Sequence, residues 1–157
     1  MKYVAAEKSD DCIFCTKPKA SDDDSLIIYR GELTFVMLNA FPYNTGHLLV
    51  APYRHLGDPL AMEPQESGEL LFGIRVAMRA LALAMQPEGF NIGANVGAVS
   101  GAGFADHMHV HIVPRWGGDT NFMAVAAETR IVPEALSETY RKLKQALVTC
   151  SEFPPSR

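Results

Sequence analysis

The sequence predicts an α+β domain: a mostly antiparallel sheet of about five strands, one long helix and a C-terminal helix. Three observations carry this. Short runs rich in β-branched and aromatic residues recur, each bounded by turn formers. Between Pro64 and Pro87, apolar residues fall at helical spacing. A second helical repeat lies near the C-terminus.

The elements follow in order. Residues 1–11 are polar and charged and are expected to be loosely ordered. Cys12-Ile13-Phe14-Cys15 comes next, then a polar stretch ending in Ser21-Asp22-Asp23-Asp24-Ser25. That stretch is expected to be a loop, its acidic run solvated. Leu26 to Arg30 reads as a strand, Gly31-Glu32 as a turn, and Thr34 to Leu38 as the partner strand of a hairpin. Asn39 to Gly46 contains Pro42, Asn44 and Gly46 and reads as a loop. His47 to Pro52 is a third strand. Leu70, Leu71, Ile74, Met78, Leu81 and Met85 then mark one face of the long helix, with Glu66, Glu69, Arg75 and Arg79 mostly between them. Its methionines are read as core filler. Phe90 to Val96 alternates as a strand, a glycine-rich loop runs from Gly97 to Gly103, and a last long strand carries the histidines to Pro114-Arg115. Phe122 to Ala126 is expected to be a short extended piece. Pro133 is expected to open a final helix with Leu136, Tyr140, Leu143 and Leu147 on one face. No repeat or linker divides the 157 residues, so a single domain spanning 1–157 is expected, with 1–11 and 151–157 as flexible ends.

Composition narrows the function. A hydrophobic content of 48% is enough for a core, and there is no run of about 18 apolar residues to cross a membrane. The N-terminus lacks the apolar centre of a signal peptide, so a cytoplasmic protein is expected. A net charge of -4 without a basic stripe argues against a general nucleic-acid binder. Cys12 and Cys15 form a C-x-x-C pair, which in a cytosolic chain points to metal or redox chemistry.

The chemistry concentrates in His107-Met108-His109-Val110-His111. In a strand, alternate side chains share a face, so the three histidines would line one face and Met108, Val110 and Ile112 the other. Imidazole is both a nucleophile and a metal ligand. Same-face neighbours on a strand stand about 6.6 Å apart, so three in a row diverge rather than converge on one ion. A nucleophile flanked by partners, a three-histidine metal site and a polar sheet face are the alternatives. The preceding loop, Gly97 to Gly103, lacks the lysine of a P-loop, but its small residues allow backbone N–H groups to approach an anion.

The run from His107 to Val113 resembles the H-φ-H-φ-H-φ-φ signature of the histidine triad (HIT) family, φ being apolar. Further agreement comes from the C-x-x-C pair, the stretch FVMLNAFPYNTGHLLVAPYRH beginning at Phe35, and Asn95 before the glycine-rich loop, all in the same order. The likeness spans Cys12 to Arg115. The segment PRWGGDTNF resembles a branch associated with diadenosine polyphosphates, including phosphorolytic members.

The resemblance implies a HIT-like fold and a nucleotidyl hydrolase or transferase acting on the α-phosphate of adenine nucleoside phosphates. It casts His109 as nucleophile of a covalent nucleotidyl-imidazole intermediate. His111 would stabilise charge beside the phosphate, and His47 would be the separate fourth histidine. Asn39 matches the ribose contact, Phe35, Met37 and Leu49 the apolar base pocket, and Asn95 a phosphate-side residue. Cys12, Cys15, His55 and His107 match the ligands of a structural zinc ion. Many members carry a glutamine four residues before the first triad histidine. Here that position is Gly103, so Ser100 or loop backbone N–H groups would replace its donor, and hydrolysis and phosphorolysis both stay open. A homodimer with a continuous sheet is the family's common assembly. A non-catalytic nucleotide-binding module and a metal-dependent hydrolase are the competing classes.

Overall fold

A computed structural model describes residues 12–119 and 134–153. Five strands form one antiparallel sheet in the order β1-β2-β3-β5-β4. They are β1 (Ile27–Arg30), β2 (Thr34–Leu38), β3 (Leu48–Pro52), β4 (Gly89–Gly93) and β5 (Val110–Arg115). The helices are the short α1 (Ile13–Thr16) and α2 (Asp22–Ser25), the long α3 (Pro64–Met85) and α4 (Leu136–Val148). The expected α+β architecture is therefore the one observed.

Period-2 alternation sorts the sheet into two faces. Val36, Leu38, Leu48, Val50, Val110 and Ile112 pack against Val76, Ala77, Ala80 and Leu81 of α3 and Leu143 of α4. Each such leucine or isoleucine taken fully out of water stabilises the fold by about 1.5–3 kcal/mol. Helix α3 comes very close to the sheet at Gly73, where a Cβ would meet Val50 Cγ1 at 2.7 Å. The other face carries Phe35, Met37, Leu49 and Ala51, covered by Cys12, Phe14 and Cys15. Leu49 of β3 stands between Met37 of β2 and His111 of β5. One histidine of the triad thus sits in the same row as two apolar side chains.

The ends of α3 follow from local chemistry. Pro64 starts it without losing a needed donor, and the Glu66 carboxylate accepts from the Glu63 N–H at 2.9 Å. Gln86 then takes a left-handed conformation (φ 50°) and ends the helix ahead of Pro87.

Several boundaries differ from expectation. Ser21 to Ser25 is not a loop: Ser21 Oγ accepts from the Asp24 N–H at 3.2 Å and caps α2. Its acids are not merely solvated. Asp22 pairs with Arg30 and Lys144, each at 2.7 Å, and Asp23 accepts from the Tyr140 hydroxyl at 2.9 Å. Leu26, with φ 59°, precedes β1 rather than opening it. β3 begins at Leu48, one residue after His47, and β4 ends at Gly93 rather than Val96. β5 begins only at Val110, because Met108 N–H bonds to the Leu56 carbonyl outside the sheet. The alternation still holds upstream: Met108 joins the α3 side of the core. The extended piece at Phe122 to Ala126 and the helix start at Pro133 lie outside the described residues. Among those described, no helix is long and apolar enough to cross a membrane.

Candidate active site and metal cluster

The histidine face divides into two neighbouring groups. In the first, a directional hydrogen bond joins His47 to His111, and His109 packs edge-on against His111 with ring centroids 4.9 Å apart. A backbone N–H only donates, so the Tyr43 N–H at 3.1 Å leaves His47 Nδ1 without a proton. The Asn39 side chain reaches the same nitrogen at 3.3 Å. Its oxygen is already used by the Phe41 N–H at 2.9 Å, so its Nδ2 is the donor. The proton of His47 therefore sits on Nε2, which donates to His111 Nδ1 at 2.9 Å. That places the His111 proton on Nε2. His109 is ordered by a carbonyl, which only accepts: its Nδ1–H donates to the His107 oxygen at 2.8 Å. The Nε2 lone pair of His109 is left for chemistry.

Burial keeps these rings neutral. It pushes His47 down to about 3, helped by the neighbouring His111 and His109. It also lowers His109 and His111 from the ordinary histidine value; the bond to His107 works against this at His109, and His109 adds to it at His111. A neutral imidazole is the nucleophilic form.

His109 and His111 open onto a cavity of about 420 Å³. Of the residues singled out in the sequence, Met37, Leu49, Asn39, Asn95 and Gly103 also line it. Phe35 does not: it is fully buried beside Tyr53, ring centroids 5.2 Å apart. Ser100 does not either, and its hydroxyl donates to the Gly97 carbonyl at 2.7 Å. His47 stands behind His111 rather than in the wall. A Cβ at Gly103 would meet nothing within 4 Å, so the missing glutamine leaves open space.

Sequence reasoning missed several wall residues. Ile13, Phe14 and Lys17 come from the C-x-x-C segment, and Phe41 and Tyr43 from the loop before β3. Tyr43 lies nearly parallel to His111, 13° between planes and 5.7 Å between centroids. Phe14 lies against His109 at 4.6 Å and 27°. The only available signal was position, since Phe14 falls between two cysteines and Tyr43 four residues before His47.

The second group is Cys12, Cys15, His55 and His107, all buried, with one ligand atom from each lying within 4.8 Å of the others. His107 Nε2–H donates to the Pro52 carbonyl at 2.9 Å, which leaves Nδ1 bare. That Nδ1 lies 3.4 Å from Cys12 Sγ, 3.6 Å from Cys15 Sγ and 3.2 Å from His55 Nδ1, and Cys15 Sγ is 3.3 Å from His55 Nδ1. Tetrahedral zinc has edges of about 3.5 Å between sulfur and nitrogen and about 3.3 Å between nitrogens. The donor set and its spacing fit that ion. Burial lowers His107 to about 4 against the pull of the Pro52 carbonyl, so its Nδ1 stays available as a ligand.

A HIT domain model matches residues 20–118. An "AP-4-A phosphorylase" of Mycobacterium tuberculosis is 41% identical over 130 residues, covering 83% of this chain and 67% of that protein. A "Bis(5'-nucleosyl)-tetraphosphatase [asymmetrical]" of Schizosaccharomyces pombe is 31% identical over 91 residues, covering 58% of this chain and 50% of its own. The crystal structure of a Zn-bound histidine triad family protein from Mycobacterium smegmatis superposes with a TM-score of 0.70 at 28% identity, covering 88% of this chain and 94% of that one. The chain belongs to the histidine triad family.

Proposed function

We propose that this protein is a nucleotidyl hydrolase or transferase that attacks the α-phosphate of adenine nucleoside phosphates such as diadenosine polyphosphates, through a covalent nucleotidyl-His109 intermediate. One observation carries this reading: the His107 carbonyl holds the His109 proton on Nδ1 and leaves a neutral Nε2 at the cavity. The Nε2 lone pair forms a bond to the α-phosphorus as the bond to the leaving oxygen breaks, and the leaving polyphosphate departs as an anion. His111 Nε2–H faces the same cavity and donates to the phosphate oxygens as charge builds there. His47 and Asn39 hold that proton in place. In the second step an acceptor oxygen attacks phosphorus and Nε2 leaves. Water gives the nucleoside monophosphate and a proton; inorganic phosphate gives the diphosphate.

Met37 and Leu49 are assigned to the base and Asn39 to the ribose. Asn95 and Gly103 are assigned to the phosphates. Phe35 supports the pocket from within the core. Ser100 is retained as a loop donor to the phosphates, a role that requires its hydroxyl to turn from Gly97.

The phosphorolytic reading has specific support. The relative at 41% identity is named a phosphorylase, and Gly103 leaves room beside the histidines for an acceptor larger than water. Product analysis on diadenosine tetraphosphate separates the two: phosphate-dependent ADP marks phosphorolysis, and AMP without phosphate marks hydrolysis. His109→Ala is expected to lower turnover by at least about 10³-fold while the fold survives. Near-normal rates in that variant would overturn the mechanism, and nucleotide binding without any product would favour a binding module.

Cys12, Cys15, His55 and His107 are the residues to hold zinc, which would supply a structural crosslink rather than a reacting group. Turnover that survives His109→Ala but is lost with the metal would favour the metal-dependent hydrolase. We further propose a cytoplasmic single domain, with reduced thiols suited to that ligand set. Its assembly is a homodimer in which the outer edge of β4, which pairs only with β5 among the described strands, continues the sheet. Sedimentation at the mass of one chain would exclude the dimer.

A further inference from the structure

The described structure holds its metal cluster and its nucleophile against each other in two places. The first contact is a hydrogen bond. The carbonyl that orients His109 belongs to His107, which is itself in the metal cluster, and the Nδ1–O distance is 2.8 Å. The second contact is an aromatic ring. Phe14 sits in the short helix between Cys12 and Cys15, and only 1% of it is exposed. Its ring lies against His109 at 4.6 Å and 27°, touches His107 at 5.1 Å, and is closed from another side by Phe104 at 5.8 Å. His111 meets His109 edge-on at 4.9 Å.

A hydrogen bond at one ring nitrogen fixes the tautomer but leaves rotation about that bond soft. A flat ring against the imidazole removes this freedom, because turning His109 out of plane would drive it into Phe14. Helix α1 spans only Ile13 to Thr16, too short to hold itself in place. Its position depends on where the two cysteines are tied.

We infer that Phe14 is a positioning residue: it fixes the ring plane of His109, and its own place is set by the ligands on either side of it, so that occupancy of the metal cluster controls the aim of the nucleophile. This rests on His109 acting as the proposed nucleophile. Losing the metal would then release the α1 wall of the cavity and the ring plane of His109 together, while His47, Asn39 and His111 keep their own bonds.

The test uses the full chain as wild type and as Phe14→Leu, which keeps an apolar side chain but loses the flat face. Metal analysis is expected to show equal zinc in both proteins. Phe14 lines the cavity, so attachment is compared at saturating substrate, where any loss of nucleotide affinity drops out of the rate. In rapid quench with labelled diadenosine tetraphosphate, nucleotide attachment to His109 is expected to slow by at least about tenfold, since misaligned reacting atoms cost rate rather than binding. Equal attachment rates in the two proteins would overturn the positioning role. So would slowing in proportion to lost zinc, which marks a purely structural residue. Wild type that traps no nucleotide would overturn the covalent mechanism, and this inference with it. A further measurement stands if Phe14→Leu fails to fold. Removing the metal from wild type is expected to move the His109 ring-proton resonances as the Phe14 ring current is lost. Resonances that stay in place would refute the link.

Discussion

Two pairs of imidazoles touch in this molecule at nearly the same distance, and they are built for opposite purposes. His47 Nε2 and His111 Nδ1 are 2.9 Å apart, and His55 Nδ1 and His107 Nδ1 are 3.2 Å apart. In the first pair a backbone N–H at His47 Nδ1 sets a direction, so one ring donates and the other accepts. In the second, the Pro52 carbonyl takes the only proton of His107 and turns its bare nitrogen toward two sulfurs and another imidazole. A bare nitrogen, two sulfurs and a second imidazole gathered in a buried site suit a metal cation; a donor facing an acceptor does not call for one. The chemistry of each pair is set by what holds the far nitrogen, not by the contact itself.

Three substitutions disturb these two pairs, each to a different extent. The largest effect is expected at the converging pair. Cys12→Ser should remove bound zinc and cost on the order of 3–5 kcal/mol, lowering the melting temperature by about 10 °C. Equal zinc content in mutant and wild type would exclude the cluster as the metal site.

The directional pair should respond to acid. His47 binds a proton near 6.5 when unfolded but only at about 3 in the fold. The unfolded state therefore takes up protons first as pH falls. Stability from this group is fully present above 6.5 and is lost progressively down to about 3. Between pH 7 and pH 5 the loss is about 2 kcal/mol, read by denaturant unfolding. His47→Gln should remove that part of the slope, and an unchanged slope would show that His47 is not held neutral.

The smallest effect is expected at Asn39, which braces the pair through a 3.3 Å contact. Asn39→Ala should cost about 1 kcal/mol, seen as roughly a fivefold loss in kcat/KM. A loss as large as that of His109→Ala would move Asn39 from bracing into the reaction itself.

Some of this was legible in the sequence because it is local. Thr34 to Leu38 and the span from Pro64 were readable from periodicity and turn residues, and they appear with those bounds or within two residues of them. Ser21 to Ser25 was misread because a serine ahead of acidic residues is a helix-start signal, but one too short to show an apolar repeat. Phe14 stayed invisible because its partner His109 is 95 residues away, and nothing in a C-x-x-C pair says where the ring between the cysteines will point.

The sequence by itself determined which histidines share a face, because a period of two is a property of extended backbone. Its spacing argued against all three converging on one ion but left a three-histidine metal site open, and the fold separated His107 from the other two. Only the tertiary structure decided where each proton sits. The Tyr43 N–H, the Pro52 carbonyl and the His107 carbonyl choose the tautomers of His47, His107 and His109. An imidazole can carry its proton on either nitrogen at little cost, so the choice falls to whichever donor or acceptor the fold brings against it.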